Sequence, residues 1–177
     1  MFFFSSCTTY KHEAVFVKNE KIEYQNEYIK TSRYKGVIFS ENYTIQAVRS
    51  NENKFTPTIF EIETAEKILR KGIKAINKER PNQIEKCPII DKNLTRYKRQ
   101  YFGHINSLNE KIILIVCYWD GRNRFYEFWD KYILKEPEDN YWLKEEMIIM
   151  DGCSNYWIIE VNLTQRKLFN FGVNGFG

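Results

Sequence analysis

The sequence predicts an α+β domain, with one main helix packed on a curved antiparallel sheet. One observation is a helix signature that opens at Thr58 and carries a single apolar stripe. A second is the aromatic content, 13 Phe, 12 Tyr and 4 Trp against 8 Gly and 4 Pro, which favours pleated, half-buried surfaces. The third is a series of apolar runs in the C-terminal half, each bounded by turn residues. At 177 residues the chain is one domain's worth. No shift in composition marks a second domain, so residues 13–177 are read as one unit behind a signal-and-tether segment, 1–12.

Residues 8–12 are polar and read as a tether, after which Ala14-Val15-Phe16-Val17 begins ordered structure. Tyr34–Phe39 and Tyr43–Val48 read as strands, and Ser40-Glu41-Asn42 between them as a hairpin turn. The stretch Ser50–Lys54 reads as a loop. Thr58 and Glu61 fit a capping box, in which each side chain reaches the other residue's backbone N–H. Ile62, Ala65, Leu69, Ile73 and Ile76 then recur at three- and four-residue steps, so a helix is expected from Thr58 to about Arg80, ended by Pro81. Gly72 beside that stripe suggests close approach of the helix to the sheet. The stripe needs an apolar sheet face to bury against.

Tyr97–Ile105 and Lys111–Trp119 read as a long hairpin turning at Ser107-Leu108-Asn109-Glu110, its second arm an almost continuous apolar run. Phe125, Phe128, Trp129 and Tyr132 have the spacing of a short helix. Glu145–Met150, Tyr156–Val161 and Lys167–Val173 read as three meandering strands, with Asp151-Gly152-Cys153-Ser154 turning between the first two. The expected arrangement is cystatin-like by analogy, which carries no function.

The chain opens Met1-Phe2-Phe3-Phe4-Ser5-Ser6-Cys7. An apolar residue, two small residues and a cysteine are the end of a bacterial lipoprotein signal. The positive stretch and most of the apolar run of about 7–15 residues are missing. The segment is therefore expected to be the back half of a signal whose true start lies upstream, with Cys7 as the lipid attachment site. The alternative is a cytoplasmic protein whose first strand begins with the phenylalanine run. No apolar stretch approaches the roughly 18 residues of a membrane span, so the expected membrane contact is the lipid anchor. Once Cys7 is set aside, Cys87, Cys117 and Cys153 remain, and three cannot all pair. Cys117 reads as a buried small hydrophobe, and a Cys87–Cys153 bridge is left open.

Chemistry-bearing residues form no recognisable constellation, so no catalytic residue, metal ligand or cofactor is assigned. His104 has no nucleophile and acid arranged around it by motif, and His12 lies in the tether. Asp120, Asp130, Asp139 and Asp151 sit at element ends, where loops often place functional groups; Asp151-Gly152 is equally a turn. The run Arg96–Phe102 mixes basic and aromatic residues in the manner of a single-strand nucleic-acid platform. Strand alternation divides it between two faces, Tyr97, Arg99 and Tyr101 on one and Lys98, Gln100, Phe102 and His104 on the other. The net charge of +4 is mild and dispersed, so no nucleic-acid partner is expected. Trp119, Trp129, Trp142 and Trp157 are stacking candidates for a sugar or a protein partner, although large aromatics are commoner in cores. Asn42-Tyr43-Thr44, Asn93-Leu94-Thr95 and Asn162-Leu163-Thr164 fit the N-glycosylation pattern, which matters only in a eukaryotic secretory route.

Tyr97–Gly103 with its following hairpin, Met150-Asp151-Gly152 with Tyr156-Trp157, and the ending Val173-Asn174-Gly175 resemble small envelope lipoproteins of Bacteroidota-type bacteria. The resemblance covers about residues 57–177 and implies a location, a lipidated cysteine and no particular activity. The expected function is thus a lipid-anchored cell-envelope protein with a binding or accessory role towards a protein or glycan. The alternatives are a soluble inhibitor or immunity-type protein binding a protein partner, and a hydrolase using the loop carboxylates around Asp120 and Asp151.

Overall fold

The computed structural model describes residues 11–18, 23–44, 53–83, 86–119 and 141–175. Among them is one α-helix, α1 (Ile59–Ile76), on an open eight-stranded sheet, which bears out the α+β class. The strands are β1 (Lys11–Lys18), β2 (Glu23–Lys30), β3 (Lys35–Ile38), β4 (Asn53–Phe55), β5 (Lys98–Ile105), β6 (Lys111–Tyr118), β7 (Tyr156–Asn162) and β8 (Lys167–Val173). Their order is β1-β2-β3-β5-β6-β7-β8, with β4 on the free stretch of β5 beyond β3. All pairs are antiparallel except β3–β5, which is parallel.

The hairpin β5–β6 and the run through β7 and β8 form as the turn residues predict, with Asn109 taking the left-handed conformation at the first turn. Between the Ile158 and Glu160 pairings of β7 the register with β8 shifts, so that Asn170 and Phe171 oppose Ile159 alone. Asn170 has φ 48° there, and its side-chain amide donates to Glu160.

Several expectations are corrected. The tether reading ends early, because β1 already begins at Lys11 and pairs with β2. The predicted Tyr34–Val48 hairpin does not form across β3: β2 takes one edge of that strand and β5 the other, and Phe39 N–H continues the ladder to Tyr101 O. The outer half of that expected hairpin lies outside the described residues, as does the helix expected at 125–132. Part of the expected 50–54 loop is strand β4. Helix α1 ends at Ile76 rather than Arg80, because buried Asn77 turns its amide to Gln83 and Asp91, and the chain then passes through left-handed residues at Arg80 and Asn82.

Alternation along β6 explains its uninterrupted apolar sequence. Ile113, Ile115 and Cys117 pack towards α1 with Ile62, Ala65, Leu69 and Ile73, while Leu114, Val116 and Tyr118 pack on the opposite face with Val37, Phe39 and Phe102. Both faces are covered from Ile112 to Tyr118, so only the end of the strand, at Lys111, carries a charged residue. Gly72 lies over β8, where an added methyl would come within 2.6 Å of Leu168 Cδ1.

The second face is covered by 141–150, and here Glu145–Met150 is not the strand the sequence suggests. Its backbone is bound by side chains instead of by a ladder. Gln100 Nε2 donates to the carbonyls of Trp142 and Glu145, both at 2.7 Å, and Gln100 Oε1 accepts from Met147 N–H at 2.7 Å. Asn26 Nδ2 donates to Leu143 O at 3.0 Å, and Tyr43 Oη accepts from Glu146 N–H at 2.8 Å. These partners satisfy the backbone groups that strand pairing would otherwise take.

The capping box forms as predicted. Glu61 N–H donates to Thr58 Oγ1 at 3.3 Å and Thr58 N–H to Glu61 Oε2 at 2.9 Å, while Lys111 Nζ reaches Glu61 Oε1 at 2.6 Å. Partial burial raises the Glu61 pKa, but the Lys111 and Thr58 hydrogen bonds outweigh it and hold the carboxyl below its ordinary 4.5. The stabilisation is therefore present at neutral pH and lost as pH falls through that lowered value. Thr58→Ala is expected to destabilise the protein by ~1 kcal/mol. In urea unfolding, the wild type should exceed Glu61→Gln in stability at neutral pH, with the difference closing in acid.

Candidate functional site

Strand alternation puts Arg99 on the helix side of β5 between Tyr97 and Tyr101. The sequence placed these three residues on one face, and the structure bears this out. What covers Arg99 is Glu66, which stands four residues after Ile62 and three before Leu69 and so shares the buried stripe of α1. Arg99 Nε lies 2.8 Å from Glu66 Oε1, both side chains being 1% exposed. Tyr101 Oη donates to the same carboxylate oxygen at 2.9 Å. Arg99 also donates from Nη1 to Tyr97 O at 2.9 Å and from Nη2 to Leu94 O at 2.8 Å. The ring of Tyr34 lies 5.8 Å from the guanidinium carbon.

The electrostatics follow from burial. Burial opposes the charge on Arg99, but Glu66 and the nearby phenols outweigh it and hold the guanidinium above its ordinary pKa. Burial, then the Glu66 charge, pushes Tyr101 well up and Tyr34 to about 12. The cluster thus holds one fixed ion pair capped by neutral phenols.

Above this pair opens a cavity of about 300 Å³, walled by α1, the β2–β3 turn and the short 3-10 turns Ile90–Lys92 and Leu94–Arg96. Arg33, Arg70, Lys74 and Arg99 line it, against the carboxylates of Glu66 and Asp91. Both carboxylates are engaged, Glu66 by Arg99 and Asp91 Oδ1 by the amide of Asn77 at 2.8 Å. Arg70 is not. Its Nη1 is buried and has no hydrogen-bond partner. The remaining wall is the apolar pair Ile73 and Leu94, with Thr95 beside them.

The other sequence candidates do not converge on this cavity. Asp151 is exposed in a left-handed turn (φ 56°), and Asp120, Asp130, Asp139, Trp129 and Cys7 lie outside the described residues. His104 is buried, with Nε2 3.7 Å from Glu160 Oε1. Trp142 and Trp157 are core residues and Trp119 is half-buried, which withdraws them as an exposed stacking row. Asn162 is buried and donates to Glu110 Oε2 at 2.9 Å, so that glycosylation triplet is sequestered. Cys87 and Cys153 form a disulfide, and Cys117 is free, buried and pushed up in pKa by that burial. Among the described residues no cluster of metal-ligating side chains occurs, and no helix is long and apolar enough to cross a membrane.

Sequence reasoning missed the cavity and its Arg70. The available signal was Glu66 itself, a carboxylate inside an apolar stripe, which calls for a buried cation opposite. Comparison with protein-family models, characterised proteins and solved structures gives no significant match, so the cystatin-like analogy gains no support.

Proposed function

We propose that the protein is a binding or accessory protein of the bacterial cell envelope, held at a membrane by a lipid on Cys7, with the basic cavity as its ligand site. The observation that carries the location is the distribution of its cysteines. Cys87 and Cys153 are joined, a state that persists in oxidising compartments outside the cytoplasm. Cys117 is wholly buried. Cys7 remains, and it alone follows the Phe-Ser-Ser order of a lipid-accepting cysteine. A cavity with an unmatched guanidinium and an apolar wall suits binding rather than turnover, because no nucleophile and base are paired at it.

The test is labelling with palmitate in cells that express the gene from its own locus, upstream DNA included. The wild type should take up label and fractionate with membranes, and Cys7→Ala should do neither. If neither chain is labelled, the second reading takes its place: a soluble inhibitor or immunity-type protein. That reading is favoured by the exposed apolar side chains of Tyr141, Ile148 and Met150 along one segment.

A further inference from the structure

We infer that the cavity between α1 and the 90–96 turns binds a small organic phosphate, with the Arg70 guanidinium as its principal contact. The inference rests on the binding role proposed above for that cavity and is independent of the lipid anchor.

Charge decides the ligand's sign. Arg99 is neutralised by Glu66 and anchored to two carbonyls, so it forms the floor and contributes no net charge. Asp91 is hydrogen-bonded to Asn77, and three cations line the cavity with it, Arg33, Arg70 and Lys74, none of which has an ion-pair partner among the described residues. The remaining excess is positive. Buried, unmatched N–H groups of a charged side chain are destabilising unless something accepts from them. Arg70 Nη1 is such a group, and its planar fork suits the paired oxygens of a phosphate or carboxylate.

Size and shape select between these oxyanions. Three cations around one opening favour a doubly charged phosphoryl group over a single carboxylate. A volume of about 300 Å³ exceeds what inorganic phosphate fills, and Ile73 and Leu94 offer an apolar wall for an organic substituent. Thr95 and Lys74 complete the lining and are exposed, which leaves a hydroxyl and an ammonium to donate to the outer phosphoryl oxygens.

Calorimetric titration of the disulfide-intact protein with phenyl phosphate, inorganic phosphate and benzoate tests this. Phenyl phosphate should bind at least about tenfold more tightly than either of the others, and Arg70→Gln should weaken it by about tenfold or more. Lys144→Gln, a change in the layer on the opposite sheet face, should leave binding unchanged and controls for general charge loss. The far-ultraviolet spectrum and melting temperature of Arg70→Gln verify that it folds; if it does not, Lys74→Gln and Arg33→Gln replace it, each expected to weaken binding severalfold. Benzoate binding as tightly as phenyl phosphate overturns the phosphoryl assignment while leaving the cavity a binding site. No saturable heat with any probe up to about 10 mM overturns the inference and removes the cavity from the proposed binding role.

Discussion

Replacing Arg99 with methionine should destabilise the protein by about 3–5 kcal/mol, the range for breaking a buried ion pair from one side. At this chain length that corresponds to a fall of roughly 10 °C in the melting temperature. The magnitude comes from what the substitution leaves behind: Glu66 would remain 1% exposed with only the Tyr101 hydroxyl to hold its charge. Two backbone carbonyls, Tyr97 O and Leu94 O, would also lose their guanidinium donors. Glu66→Leu combined with Arg99→Met should recover most of the loss, because an apolar pair of similar volume removes the uncompensated charge. It should fall short by about 1 kcal/mol, since Tyr101 Oη then lacks an acceptor. Urea unfolding of the single and double variants measures both quantities. A double variant no more stable than the single one would show that the loss comes from packing and not from the stranded carboxylate.

Reduction of the Cys87–Cys153 bridge should have an effect of similar size. The bridge closes a loop across 66 residues of sequence, and the loss of that constraint on the unfolded chain corresponds to ~4 kcal/mol. The tie is reinforced locally. Ser154 Oγ donates to Pro88 O at 2.6 Å and Tyr97 Oη to Ser154 O at 2.8 Å, so the reduced protein keeps part of the connection and should remain folded at room temperature. Melting curves with and without reductant should differ by roughly 10 °C. In the Cys87→Ala, Cys153→Ala variant that difference should vanish. An identical melting point in reduced and oxidised wild type would remove the bridge as a stabilising element.

The local elements were legible where the sequence carries its own chemistry. Thr58 and Glu61 announce the helix start because the cap is made by residues three apart. Asn109 and the residues around it announce the β5–β6 turn for the same reason. The division of Tyr97, Arg99 and Tyr101 from Lys98, Gln100 and Phe102 needs only the two-residue period of a strand. Contacts remote in sequence were not legible. The parallel pairing of β3 with β5 spans the whole helix, and strand β2, written Glu23-Tyr24-Gln25-Asn26-Glu27, reads as polar because Asn26 is buried as a clamp rather than exposed. Glu145–Met150 has the composition of a strand, yet Gln100 captures its backbone from 45 positions away, a competition no local pattern records. The candidate site failed to appear for a related reason: in sequence, an arginine paired inside a core and an unmatched one beside it, Arg99 and Arg70, are written with the same letter.

The irregularity at Asn170 bears on how this chain keeps company with copies of itself. The outermost strand of an open sheet is a template on which another chain can lay its own backbone, and long straight edges seed fibrils. In β8 the extra residue at Asn170 bends the strand and breaks the even spacing of outward-facing donors and acceptors. The left-handed turn holds that bend in place, with Glu160 as its anchor. An incoming strand would meet a register it cannot follow beyond a few residues, so the kink that looks like a flaw in the ladder makes the β8 edge a poor template for a further strand.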